Sequence, residues 1–291
     1  MFETLNARGV RLSATDLLKN YLFSVLARDN EGDYELDDME RRWEAMVGRL
    51  GSESFPDFLR MHWNSRESFA RQSELFKTIR SRINTREKVF LLLRNMDEDI
   101  DTYLALTQPE GSQWPPRWRQ CAQELRMFSV RQPFPMLMAA RRNLQDVDFE
   151  SLLSATVVLA FRYNVIGAQH TGEQERAYHS MALRIARTEV RKASEVLEGL
   201  RLIYLADEPF RAAFTDKSIK TTAKRNNKVV RYILCKLERQ SGGPEVDFDS
   251  SSYTVEHILP QNPGKGWQAF RDSDLESFIY RIGNMSMLEA G

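Results

Sequence analysis

Apolar residues recur at the three- and four-residue spacing of an amphipathic helix through most of this chain. Ser13, followed three residues later by Asp16, is a weak form of the capping box that begins many helices. After it, the apolar residues share one helical face: Leu17, Leu18, Tyr21, Leu22, Val25 and Leu26. Similar helical patterns occupy residues 37–50, 84–106, 149–167, 173–205 and 226–240. The pattern therefore predicts a long, multi-helical body.

The helical pattern stops near the end of the chain. Residues 240–252, QSGGPEVDFDSSS, are rich in glycine, serine and acidic side chains, which disfavour a helix. Residues 253–259 are β-branched and apolar, and predict a short strand. Gly283 and Asn284 form a turn signal before a second short apolar segment, residues 285–288. We therefore predict a mainly α fold with a small two-stranded element at its end.

Composition narrows the possible functions only slightly. Hydrophobic residues make up 42% and charged residues 28% of the 291 positions, as in ordinary soluble proteins. Lysine plus arginine equals aspartate plus glutamate, at 41 each, so the net charge indicates no partner. The most apolar stretch, Leu152 to Phe161, is too short to span a bilayer and predicts a buried helix. Cys121 and Cys235 lack zinc-ligand spacing. We expect a cytoplasmic protein with no membrane partner.

His257 has the clearest chemical potential among the four histidines. It directly follows Glu256 and lies at the end of the first predicted strand, three residues before Pro260. Successive strand residues point to opposite faces, so Glu256 and His257 diverge unless the strand bends, and Pro260 favours such a break. The other histidines lack a carboxylate at useful sequence spacing, and we expect structural or solvent-exposed roles for them: His62, His170 and His179.

Motifs at both ends of the chain resemble one family. VEHILPQN, residues 255–262, followed by IGNMSML, residues 282–288, resembles the start of an HNH (His-Me finger) nuclease motif, which has a ββα fold. With Trp267 between them, these residues also resemble the C-terminal half of GmrSD-type modification-dependent restriction proteins. MFETLNARGVRLSATDLLKNYLF, residues 1–23, resembles the end of the amino-terminal half of those proteins. The two motifs together are more specific than either alone.

The resemblance implies a division of the chain into three parts. Residues 1–30 would be the tail end of the family's amino-terminal domain, residues 31–245 the helical body, and residues 246–291 an incomplete ββα nuclease module. The final helix of that module, with its second metal ligand, is expected to be missing. We therefore expect an inactive fragment, truncated at both ends, of a metal-dependent endonuclease that cuts foreign, modified DNA.

The resemblance also implies roles for three residues of the nuclease module. His257 would be the general base toward the attacking water, and Asn284 would hold the loop that carries it. Glu256 would bind a Mg²⁺ or Mn²⁺ ion or orient His257. An equally open interpretation is that Glu256 pairs with an arginine of the helical body.

Asn6, Arg8 and Gly9 would belong, by the same resemblance, to the edge of a nucleotide-handling site in the amino-terminal half. The parent protein would then use a nucleoside triphosphate. The alternative is that Asn6 and Arg8 simply form a turn before the first helix.

A basic segment precedes the nuclease module. Residues 216–239 contain eight lysines and arginines against two acidic residues. Such side chains bind DNA phosphates without reading sequence, so we predict DNA contacts for Lys220, Lys224, Arg225 and Lys228. A solvated helix face explains the same pattern equally well.

Two rival functions stay open at this point. One is a non-catalytic helical scaffold or DNA-binding module that keeps a degraded nuclease tail. The other is an RNA-directed nuclease or toxin, because the ββα fold serves several nucleic acids.

Overall fold

The computed structural model describes residues 14–27, 33–243, 246–267 and 272–290. It is 70% helical, and its described residues contain one sheet, of two strands, so the predicted mainly α fold is confirmed. The helices are α1 Ala14–Leu26, α2 Asp33–Leu50, α3 Phe55–Asn64, α4 Gln72–Arg82, α5 Arg86–Thr107, α6 Pro116–Phe128, α7 Phe134–Asn143, α8 Asp146–Ala160, α9 Thr171–Ala186, α10 Ala193–Gly199, α11 Asp207–Thr215, α12 Lys224–Gln240 and α13 Asp272–Ile279. The strands are β1 Tyr253–His257 and β2 Met285–Glu289.

Local sequence signals explain where several helices begin and end. α3 begins after Ser54, whose hydroxyl accepts a 3.4 Å hydrogen bond from the backbone N–H of Asp57. α6 begins at Pro116, because the fixed φ of proline suits the first turn of a helix. Thr188, with a φ of 58°, separates α9 from α10 and breaks the predicted helical segment 173–205.

The described chain forms two compact units, and α1–α10 supply most of the first. Aromatic rings lie at the centre of this unit. The ring centroids of Phe58 and Tyr103 are 5.3 Å apart, and those of Tyr103 and Phe134 are 6.5 Å apart. These three side chains are fully buried, so α3, α5 and α7 share one core.

A buried ionic cluster also joins α3, α5 and α7. The Asp99 carboxylate accepts hydrogen bonds from His62 Nδ1 at 2.6 Å, Arg66 Nε at 3.1 Å and Arg142 at 2.5 Å. Arg142 also donates to the backbone oxygen of Ser65 at 3.0 Å. The His62 and Asp99 side chains are only 2% and 1% exposed. His62 thus has a buried structural role, and its carboxylate partner lies 37 residues away, beyond the sequence spacings that the motif analysis considers.

The cluster fixes the charges of its members at neutral pH. Burial lowers the pKa of His62, and the hydrogen bond to Asp99 offsets this only in part. Burial alone would raise the pKa of Asp99. The interaction with His62, the positive charge of Arg142 and the hydrogen bond from Arg66 outweigh it and lower that pKa to about 2. The lowered pKa of His62 favours the neutral imidazole beside an ionised carboxylate at neutral pH.

α8 continues into a π-helical turn at Phe161–Ile166, so the helical segment ends within one residue of the predicted segment 149–167. Asp146–Ile166 has 21 residues and a mean hydropathy of 1.3, which by length and composition alone could cross a membrane. Half of its apolar window is buried inside the protein, and Phe149, Leu152 and Leu153 are fully buried. This burial is that of a core helix.

The second compact unit contains residues 127–130, 158–169 and 204–291. Its core includes the rings of Phe128 and Tyr232, whose centroids are 5.4 Å apart, and of Phe161, 6.0 Å from Tyr232. α12 packs on both strands, and Cys235 Sγ lies 3.4 Å from Met287 Sδ on β2. Both cysteines are buried free thiols. α12 therefore shares a compact unit with the two strands, although the composition change at residues 240–252 lies between them.

Arg231 connects α12 to the chain that leads into β1. Its guanidinium donates to the backbone oxygens of Phe248 at 2.6 Å and Tyr253 at 2.8 Å, and also to that of Ser250. One side chain thus satisfies three carbonyl groups of a segment that is rich in turns and has few apolar residues.

Candidate active site

The two strands place His257 at the end of β1. β1 and β2 pair antiparallel, with His257 opposite Met285 and Glu256 opposite Ser286. Pairing ends there, and the Ile258 N–H donates to the backbone oxygen of Asn284 at 2.9 Å. His257 therefore lies where the regular strand gives way to a loop.

The side chain of Asn284 holds that loop. Its Oδ1 accepts a 2.8 Å hydrogen bond from the backbone N–H of Leu259. Its Nδ2 donates to the backbone oxygens of Leu259 at 3.1 Å and Ile279 at 3.0 Å. Only a neutral amide supplies an acceptor and two donors in this arrangement. Asn284 thereby fixes the backbone two residues after His257.

The His257 ring is partly buried between two segments. It lies edge-on to the ring of Tyr280, with centroids 6.0 Å apart, and its Nε2 is 3.5 Å from both Thr221 Oγ1 and Gln261 Nε2. Burial lowers the pKa of His257, and the negative charge of Glu256 opposes this in part. A lowered pKa favours the neutral imidazole at physiological pH, which is the form that accepts a proton.

Backbone pairing brings the segment before α12 to His257. The Ile219 N–H donates to the backbone oxygen of Tyr280 at 2.8 Å, and the Ile282 N–H donates to that of Lys217 at 3.3 Å. This pairing places Thr221 and Tyr280 around the histidine. Sequence reasoning missed both residues because nothing in their spacing indicates the pairing.

A cleft of about 420 Å³ opens beside His257. Glu256 and His257 both border it, although they occupy alternate positions of β1, because the strand ends at this point. Glu256 is exposed and accepts a 3.1 Å hydrogen bond from Thr254 Oγ1. The remaining lining residues are Thr221, Thr222, Asn227, Val255, Pro260 and Gln261.

Comparison with protein-family models identifies this part of the chain. Residues 204–291 match the model described as GmrSD restriction endonucleases, C-terminal domain. This segment belongs to the GmrSD restriction endonuclease family. A search of curated proteins finds no match to the chain. The substrate of a restriction endonuclease domain is DNA, and GmrSD nucleases are typically metal-dependent.

Two of the four cations predicted to contact DNA have structural partners within the second compact unit. The Arg225 guanidinium donates to the backbone oxygens of Met127 at 3.1 Å and Phe128 at 2.6 Å, at the end of α6. Lys228 Nζ lies 2.7 Å from the Asp249 carboxylate. The helix face therefore has a structural use that the charge pattern alone does not reveal.

The other two cations, Lys220 and Lys224, flank Thr221 and Thr222, which line the cleft of the GmrSD domain. Lys220 Nζ lies 6.0 Å from the centre of the Tyr280 ring. The same ring packs perpendicular to the ring of His257. Lys224 is exposed at the first position of α12, immediately after the segment that lines the cleft. Lys220 and Lys224 are thus the two predicted cations closest in the chain to Thr221 and Thr222.

The described residues contain no group of three or more His, Cys, Asp or Glu side chains placed to hold a metal ion. The cleft of the GmrSD domain offers one carboxylate, Glu256, and one imidazole, His257. Among the described residues, no arginine pairs with Glu256, whose carboxylate accepts the hydrogen bond from Thr254. The residues predicted for nucleotide binding, Asn6, Arg8 and Gly9, lie outside the described residues.

Proposed function

We propose that this chain supplies the His257 part of a nuclease site that hydrolyses phosphodiester bonds in DNA. The observation that carries the proposal is the loop held by Asn284, which fixes His257 at the mouth of a cleft between β1 and the segment before α12. The substrate class follows from the family, whose members restrict DNA. We extend it to foreign DNA with modified bases, as the family resemblance implies.

His257 acts as the general base in this proposal. Phosphodiester hydrolysis requires a water that loses a proton as it attacks phosphorus, and a neutral imidazole accepts that proton. Tyr280 packs against the ring, while Thr221 and Gln261 lie near its Nε2. These neighbours limit ring rotation, so that the accepting nitrogen keeps its direction toward the cleft. Asn284 contributes as a positioning residue through the loop backbone.

Glu256 is the residue that would hold a Mg²⁺ or Mn²⁺ ion. Its exposed carboxylate beside a cleft fits such an ion, because Mg²⁺ commonly binds one or two carboxylates and completes its shell with water and substrate phosphates. When bound, the ion supplies charge neutralisation at the phosphate oxygens. The Glu256 side chain would orient and retain it beside His257.

Removal of the metal is expected to abolish DNA cleavage by the full-length protein. Supercoiled plasmid, with and without modified bases, is incubated in Mg²⁺ or Mn²⁺ and in the same buffer with excess EDTA. Nicked or linear product should form only with the metal, and preferentially from modified DNA. Equal cleavage in EDTA would contradict the metal requirement. DNA binding without cleavage under any condition would favour the rival, a non-catalytic DNA-binding module.

Lys224→Glu is expected to weaken DNA binding without unfolding the protein, because this side chain is exposed at the cleft end of α12. Replacing one phosphate-contacting cation should lower the slope of log affinity against log salt by about 1. Arg239→Glu makes the same charge change at the other end of α12, about 22 Å away at 1.5 Å per residue. An equal loss of DNA affinity in both variants, or no loss in either, would remove Lys224 from the interface.

A further inference from the structure

A second cleft, of about 950 Å³, lies within the first compact unit. It is bordered by parts of α3, α4, α5, α7 and α9, outside the segment that matches the GmrSD model. Its volume is in the range of sites that bind small molecules. The buried ionic cluster forms part of its wall, because both His62 and Arg142 line it.

His62 lines this cleft with a side chain whose Nδ1 is taken by Asp99, which leaves its Nε2 as the second ring nitrogen. A carboxylate can only accept, so Nδ1 carries the proton that is donated to Asp99, and Nε2 is left as an acceptor. Nε2 has no hydrogen-bond partner among the described residues. Asp99 is itself held by Arg66 and Arg142, so the ring is fixed in this tautomer and direction. A ligand hydroxyl or amino group is the natural donor to such a nitrogen.

The rim of the cleft carries excess positive charge. Its lining includes four cations, Arg66, Arg82, Lys88 and Arg142, and two carboxylates, Glu67 and Glu98. Asp99 beneath the wall adds a third negative charge. With His62 neutral, four positive and three negative charges leave a net charge of +1. The arginines are already oriented by hydrogen bonds, as when Arg82 donates to Glu67 at 2.7 Å and to Ser68 at 2.8 Å. Oriented guanidinium groups bind phosphate well.

The same cleft has an apolar side. Trp63, Ile83, Leu91 and Leu92 line it, and Leu91 is 45% exposed although its neighbours in the wall are more buried. A flat ring can lie against such a surface. Asn95 and Asn143 add amide groups that can pair with polar atoms at a ring edge.

We propose that this cleft binds a nucleotide, with its phosphate on the Arg66, Arg82 and Lys88 rim and a hydroxyl or amino group donating to His62 Nε2. The excess positive charge suits a phosphate, the apolar wall suits a flat ring, and the His62 Nε2 acceptor suits a hydroxyl or amino donor. The nucleotide can be free in solution or part of a single strand. The lining of this cleft shares no residue with that of the His257 cleft, so substitutions in it leave the proposed nuclease residues unchanged.

Calorimetric titration of the full-length protein distinguishes these sources. The probes are adenosine 5′-monophosphate, adenosine, inorganic phosphate and a short single-stranded DNA. For a free nucleotide, the monophosphate binds more tightly than the other three; for a strand, the DNA binds most tightly. Lys88→Glu should weaken the favoured probe at least about tenfold. Lys77→Glu is the control, because Lys77 is an exposed residue of α4 outside the cleft lining.

His62→Gln should also weaken binding, with circular dichroism used to check that the cluster still folds. If this variant unfolds, Lys88→Glu still tests nucleotide binding in this cleft, because Lys88 is exposed and its substitution should not unfold the protein. The proposal is overturned if neither the monophosphate nor the DNA binds the unaltered protein. It is also overturned if Lys88→Glu binds as tightly as the unaltered protein, or if Lys77→Glu weakens binding as much.

Discussion

In the full-length protein, His257→Ala is expected to reduce metal-dependent DNA cleavage by about 10²–10⁴-fold, the usual contribution of a general base. Among the described residues that line the cleft, the alanine removes the one imidazole, and it leaves the backbone that Asn284 holds unchanged. Its side chain is only partly buried, so the fold should survive the change. Initial rates of plasmid nicking, measured at saturating Mg²⁺ or Mn²⁺, provide the comparison.

His170→Ala is the matched control for this variant. His170 is exposed at the start of α9, where its side chain makes no capping hydrogen bond. It should cleave DNA at the rate of the unaltered protein. Binding of DNA by His257→Ala, measured in EDTA, should stay within about twofold, because a base that acts on water contributes mainly to the chemical step. Equal cleavage by the two variants would refute the assignment of His257.

Asp99→Ala is expected to destabilise the first compact unit by about 3–5 kcal/mol. The substitution leaves Arg66 and Arg142 in a mostly buried setting without the carboxylate that neutralises them, and it leaves His62 without its acceptor. Removing one partner from a buried ionic cluster costs this much because the remaining charges stay desolvated. Urea denaturation followed by circular dichroism measures the change in the free energy of unfolding.

Asp101→Ala provides a control on the same helix. Asp101 also pairs with an arginine, Arg49, at 2.5 Å, but its side chain is 80% exposed. Exposed pairs contribute about 0–1 kcal/mol, so this variant should be far less affected. Equal destabilisation by the two substitutions would show that burial does not determine how much the Asp99 cluster contributes to the free energy of unfolding.

Acid titration tests the same cluster without a change in its packing. The folded-state pKa of Asp99, about 2, lies below the ordinary value of 3.8, so folding binds fewer protons at this group. Its stabilisation is therefore present above pH 3.8 and is lost as the pH falls toward 2. The lowered pKa of His62 acts in the same direction, with loss as the pH falls through 6.5. Asp99→Ala should reduce the dependence of the free energy of unfolding on pH between about 2 and 3.8.

Regular periodicity predicted much of the fold. The apolar faces of α1, α5 and α12, and the turn at Gly283 and Asn284, lie within a few residues of the predicted positions. The bounds differ where a local feature intervenes, as at Thr188, because its left-handed conformation leaves no mark on the hydrophobic pattern. Helical propensity and apolar spacing are local properties, and they report only what neighbouring residues decide.

Long-range partners were beyond the reach of the sequence. Asp99 reaches His62 only because α3 and α5 pack together, and Thr221 reaches His257 only because residues 217–219 pair with residues 280–282. Arg225 had the charge expected of a DNA contact, yet its guanidinium binds the end of α6. Charge predicts affinity for an anion, but packing decides which acceptor the side chain meets.

The three hydrogen bonds that Arg231 donates to backbone carbonyl groups make β1 and β2 dependent on α12. Two strands alone are at best marginally stable in water, and here α12 covers the pair while Arg231 fastens the segment that enters β1. The smallest segment that can be moved to another protein with its fold intact therefore includes α12, well before His257. Grafting only residues 253–289 into another protein would transfer the candidate catalytic residues without α12 and Arg231, which support the two strands.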